Sequence, residues 1–108
     1  MHTTAADLSA LFERIPRRHT TDNVKEIYNI LDEYEGLLQT IESENAYYEK
    51  TVSPFFEALE PIRALIKKSS DNKASKKLKD SLFDEGSGML KDTMEALMTM
   101  YAAGDSPR

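Results

Sequence analysis

Apolar residues between Val24 and Ile66 return at alternating three- and four-residue steps. One column holds Val24, Leu31, Leu38, Asn45, Val52, Leu59 and Ile66, and the column three residues on holds Ile27, Tyr34, Ile41, Tyr48, Phe55 and Ile62. Two columns in a heptad register form one stripe along a helix, a seam that must be buried against another helix. The pattern therefore predicts a long, kinked heptad helix over residues 22–68. Thr21 or Asp22 is its expected N-cap, and Gly36 is an interior cost of about 1 kcal/mol. Ser53-Pro54 reads as a break with a fresh helix start, and Pro61 as a second bend. The stretch from 22 to 51 alone would be roughly 45 Å long, which predicts an elongated molecule.

Shorter apolar sets flank this stretch. Leu8, Leu11, Phe12 and Ile15 have helical spacing and predict a docking helix over 5–15, with Thr3 or Thr4 as cap, Asp7 in the first turn and Pro16 as its stop. Arg17, Arg18 and His19 form a polar connector. Residues 69–75 (SSDNKAS) have loop composition. C-terminal helices are expected over 76–103: a short one to Phe83, a flexible break at Asp84-Glu85-Gly86-Ser87-Gly88, then a Met-rich one from Met89. Gly104 stands where a C-terminal cap belongs, and 104–108 reads as a disordered tail. No segment reads as a strand. The expected fold is all-α: an elongated bundle of four to five helices in a single helical domain.

Composition adds limits. The chain has 108 residues, 40% of them hydrophobic and 31% charged, with no Cys. One modest core fits that length. No apolar run reaches the roughly 20 residues of a spanning helix, and the N-terminus lacks the basic-then-apolar build of a signal peptide. An intracellular, cytoplasmic setting is expected. The net charge of −5 is unevenly placed. Residues 22–60 carry ten acids against Lys25 and Lys50; residues 61–79 carry seven bases against Asp71. Blocks of opposite sign attract within a chain or between chains.

Candidate chemistry is sparse. A catalytic carboxylate pair needs one acid buried, and nearly every acid here falls outside the seam. A bundle metal site would use Glu-x-x-His, and neither His2 nor His19 has that spacing. Glu85-Gly86-Ser87-Gly88 lacks the strand, the full glycine spacing and the lysine of a phosphate loop. No catalytic residue, cofactor, metal or small-molecule substrate is expected, and the chain does not read as an enzyme.

Three sets remain as interaction candidates. The seam itself (Val24, Ile27, Leu31, Tyr34, Leu38, Ile41, Asn45, Tyr48, Val52 and Phe55) is a surface for self-association or a protein partner. Within it, Asn45 would set register, and the Tyr34 and Tyr48 hydroxyls would reach a hydrated edge. Lys67, Lys68, Lys73, Lys76, Lys77 and Lys79 form an anion-binding candidate for nucleic acid or an anionic membrane, although no aromatic is interleaved for base stacking. Their other role would be to face the acidic 22–60 segment. Met94, Leu97, Met98 and Tyr101 mark a partner-binding helix, since methionine adapts to irregular surfaces. The leading functional expectation is a non-enzymatic protein–protein interaction module: a helical adaptor or small assembly subunit packing through its seam. Anionic-surface binding through 67–79 is the alternative.

Overall fold

The computed structural model describes residues 3–16, 18–44 and 46–104, and those residues are helical apart from short connections. Four helices follow in order: α1 (Thr3–Arg14), α2 (Thr21–Glu42), α3 (Ala46–Ser69) and α4 (Lys76–Gly104). α1 packs on α2 and α4, α2 on α3, and α3 on α4. The body measures 52 × 22 × 17 Å, so the expected elongation is present.

Its source differs from the expectation. The predicted 22–68 helix is two helices that fold back on each other. The chain turns between Glu42 and Ala46, well before Ser53-Pro54. There the Ser43 hydroxyl donates to the Thr40 carbonyl (2.8 Å), and the Ser43 and Glu44 amides close on Gln39 and Ile41 (3.2 and 3.0 Å). A serine side chain that bonds nearby backbone competes with the helical ladder. Folding back also lets the two halves of the apolar stripe cover each other, a gain that a straight helix would obtain only from a partner. Asn45, expected to set register, lies outside the described residues.

Pro54 and Pro61 both lie inside α3, and Ser53 is an interior position, not a cap. Proline removes one ladder bond and frees the carbonyl four residues earlier. Both prolines are solvent-exposed, as are Lys50 and Glu57, the residues whose carbonyls they free. Water can satisfy those carbonyls, while Val52, Leu59, Ile62 and Ile66 stay buried on the other face.

The α2 cap falls one residue before the predicted pair. Thr20, in extended geometry, accepts the Asn23 amide at 3.0 Å, and Asp22 sits in the first turn. α1 starts at Thr3, so Thr4 is within it, and Asp7 lies beyond its first turn. Pro16 ends it as expected. The 70–75 turn is tied by Asp71, whose side chain accepts the Lys73 amide (3.0 Å) and whose carbonyl accepts the Ala74 amide (3.0 Å). Ser75 then caps α4 by accepting the Leu78 amide at 3.1 Å.

The predicted break at 84–88 is absent; α4 is one helix of 29 residues. Two glycines and a serine there read as flexible because each is a weak helix former. In the bundle, Gly86 and Ser87 are buried, Ser87 donating to the Asp84 carbonyl of its own helix, and a Cβ on Gly86 would lie 2.8 Å from Ile66 Cδ1 and 3.4 Å from Leu65 Cβ of α3. The glycine gives α3 room to approach. Phe83 and Leu90, both fully buried, hold the helix on either side of it. Gly104 is the last residue of α4, and 105–108 lie outside the described residues.

Candidate functional site

The seam residues are core residues of this chain. Ile27, Leu31, Tyr34, Leu38 and Ile41 on α2 are fully buried, as is Val52 on α3; Tyr48 is nearly so. Val24 and Phe55 are half-buried against the same cluster. A stripe read as available to a partner is therefore covered by the chain's own helices. The three-four spacing specified a buried face, and it could not specify whose.

Tyr34 departs from the hydrated-edge expectation. Its side chain is fully buried, and its hydroxyl shares a 3.3 Å hydrogen bond with Thr93 Oγ1, joining α2 to α4. Burial disfavours the phenolate and pushes the Tyr34 pKa up to about 12, the Thr93 bond opposing this weakly. The folded state thus holds the proton more tightly than the unfolded chain, whose tyrosine titrates near 10. This group's contribution is fully present below pH 10 and is lost as pH rises through about 12. In urea titrations at stepped alkaline pH, Tyr34→Phe should flatten the fall in stability across that window by about 2 kcal/mol. An unchanged slope would count against the buried hydroxyl.

In the last helix, Met94 and Leu97 are fully buried. Met89, Met98 and Met100 are half-buried against the core. Two of the four partner-helix candidates are thus core residues. The Tyr101 side chain lies outside the described residues.

Four acids of the acidic segment pair with arginines, and no ion pair joins that segment to the lysine block among the described residues. Arg14, at the end of α1, pairs through both terminal nitrogens with Glu33 (3.1 Å each) and through Nε with Glu26 (3.0 Å). Those bonds, Glu33 first, raise its pKa further above its ordinary value. Arg63 on α3 reaches Asp32 (3.2 Å) and Glu35 (3.1 Å) on α2. All of these side chains are substantially exposed, so each pair adds well under about 1 kcal/mol and mainly sets how neighbouring helices align.

The six candidate lysines gather at one end of the bundle. Lys67 and Lys68 lie in the last turn of α3, Lys73 in the connecting turn, and Lys76, Lys77 and Lys79 at the start of α4. All are exposed except Lys79, which is half-buried. Among the described residues their one ion pair is Lys76 to Asp80, long at 4.0 Å. The connection between α1 and α2 comes to the same end. Arg18, His19 and Thr20 line an open cleft there with Lys76, Asp80 and Asp84.

Two features of this end were not legible as chemistry. His19, expected in a polar connector, is half-buried. Its ring meets Phe83 edge-on at 5.6 Å, and its Nε2 is buried without a hydrogen-bond partner among the described residues. Leu78, between Lys77 and Lys79, is 49% exposed; Tyr47, at the opposite turn, is the other large exposed hydrophobic described. The alternation Lys-Leu-Lys was the available signal for Leu78. Nothing local marked His19, because Phe83 is 64 residues away in sequence.

No cluster of metal-ligating side chains occurs among the described residues, and no described helix is long and apolar enough to cross a membrane. No family model matches the chain, and neither a curated protein nor a solved structure matches it.

Proposed function

We propose that the chain is a non-enzymatic interaction module that engages an anionic partner surface through the basic end of the bundle. The observation that carries this reading is the start of α4. Its first turn has no acid, although the positive end of a helix dipole favours one, and instead Lys76, Lys77 and Lys79 open the helix. Helix stability does not ask for those charges. Lys67 and Lys68, by contrast, sit where the α3 dipole favours cations. The seam, which first pointed to assembly, is occupied by the core, and of the three candidate sets the lysine block is the one that keeps most of its exposure.

The test is a panel of anionic probes: an oligoglutamate peptide, duplex DNA and phosphatidylserine vesicles. Light scattering should first give a monomer of 12.3 kDa at low and at high salt. A salt-resistant dimer would return the seam to an interface role. At least one probe should then bind the wild-type chain in a salt-dependent way, and Lys76→Glu/Lys77→Glu/Lys79→Glu should remove that binding. Binding unchanged by the triple reversal, or no binding to any probe, would overturn the reading.

A further inference from the structure

We infer that the partner of the basic end is an anionic lipid surface, against which Leu78 enters the boundary between headgroups and acyl chains. The inference rests on the proposed function and names its ligand class. Leu78 is half exposed in the first turn of α4, with Lys77 and Lys79 about 100° to either side around the helix. Leu82, one turn on, is half-buried and carries the apolar stripe back towards the core. An apolar tip ringed by cations whose long stems can extend to an interface is the arrangement that peripheral membrane contact uses.

Three alternatives fit less well. Duplex DNA would use the lysines but gives an exposed leucine no role, and among the described residues no exposed aromatic accompanies the lysines to stack single-stranded bases. An acidic helical peptide would need an apolar groove with several anchors. The cleft at the end of α3 offers Ala64, Lys67, Lys68, Ser70, Asp71 and Asn72, with no large apolar side chain. A lipid surface asks only for diffuse positive charge and one shallow insertion. Asp71, Asp80 and Asp84 lie near the same end; of these, Asp71 is engaged with the turn backbone and Asp80 with Lys76.

The experiment is co-sedimentation of the full chain with phosphatidylcholine vesicles and with vesicles in which a quarter of the lipid is phosphatidylserine. Wild type should pellet only with the anionic vesicles. Each lysine near such a surface is worth about fivefold in partitioning, so the triple reversal should cut it by about a hundredfold or more. Leu78→Ser should reduce it about fivefold while leaving its salt dependence unchanged. The variants should keep the wild-type helical spectrum and melting temperature: Leu78 is exposed, and glutamates in a first turn suit the helix dipole. Equal binding to neutral vesicles, or vesicle binding indifferent to Leu78→Ser, overturns the inference. Lysine-dependent binding to oligoglutamate or DNA without vesicle binding overturns it while the proposed function stands. No binding to any of the probes overturns both.

Discussion

Gly86→Leu should destabilise the bundle by about 3 kcal/mol, lowering the melting temperature by more than about 10 °C. A Cβ there already falls 2.8 Å from Ile66 Cδ1 and 3.4 Å from Leu65 Cβ. Ile66 is fully buried and has little room to move aside, so the added atoms must push α3 away from α4. Helix propensity works the other way, since leaving glycine gains about 1 kcal/mol in a helix interior. Gly86→Ala sets these terms against each other, and its net loss should be about 1 kcal/mol. Gly36 and Gly88 supply the controls. Nothing lies within 4 Å of a Cβ at either, so alanine there should stabilise by about 0.5–1 kcal/mol. Urea denaturation of the three alanine variants and Gly86→Leu reads all four signs. Stabilisation by Gly86→Leu would mean that 84–88 is the loose hinge its composition resembles.

That opposition of signs shows why part of this fold was legible and part was not. Three-four spacing identifies which face of a helix is covered, and it did so for Ile27, Leu31, Tyr34, Leu38, Ile41, Tyr48 and Val52. It says nothing about whether the cover is another chain or the same chain turned back. The turn between α2 and α3 was hidden because the sequence there leaves the heptad register running straight through. The prolines misled for a related reason. Proline in a helix is costly when its freed carbonyl is buried, and here the outward face of α3 leaves Lys50 and Glu57 to water. Gly86-Ser87-Gly88 misled because small residues signal either flexibility or close approach. Only the position of Ile66 decides between the two.

The same limit governs the functional reading. Seam, lysine block and Met-rich helix were three comparable surfaces in the sequence, because burial was unknown. Burial of Met94 and Leu97 and closure of the seam remove most of two of them. Five of the six lysines keep their exposure, and four acids of the 22–60 segment, Glu26, Asp32, Glu33 and Glu35, are met by Arg14 and Arg63. Neither pairing was visible in the charge blocks, because Arg14 lies outside both and Arg63 counted only as one more base in the second.

Phe83→Ala should be the most damaging single truncation, at about 3–5 kcal/mol. For a domain whose total stability is about 5–15 kcal/mol, that removes about a fifth of it or more. Phe83 is among the largest fully buried side chains and lies one turn before Gly86, where a Cβ would meet Ile66 and Leu65 of α3. Its ring also receives the edge of His19, so its loss uncovers the connection between α1 and α2 and exposes a face of α4 together. Such a cavity cannot collapse easily, because Ile66 and Leu90 are themselves fully packed. The half-buried Leu82, one residue earlier, should lose only about 1 kcal/mol on the same truncation. The pair separates two pictures of α4 by urea denaturation. If residues 76–83 were a separate peripheral helix before a flexible break, both truncations would have similar small effects. In a continuous α4, the Phe83 effect must be several times larger, and the whole bundle must unfold in one transition with the basic end attached to it.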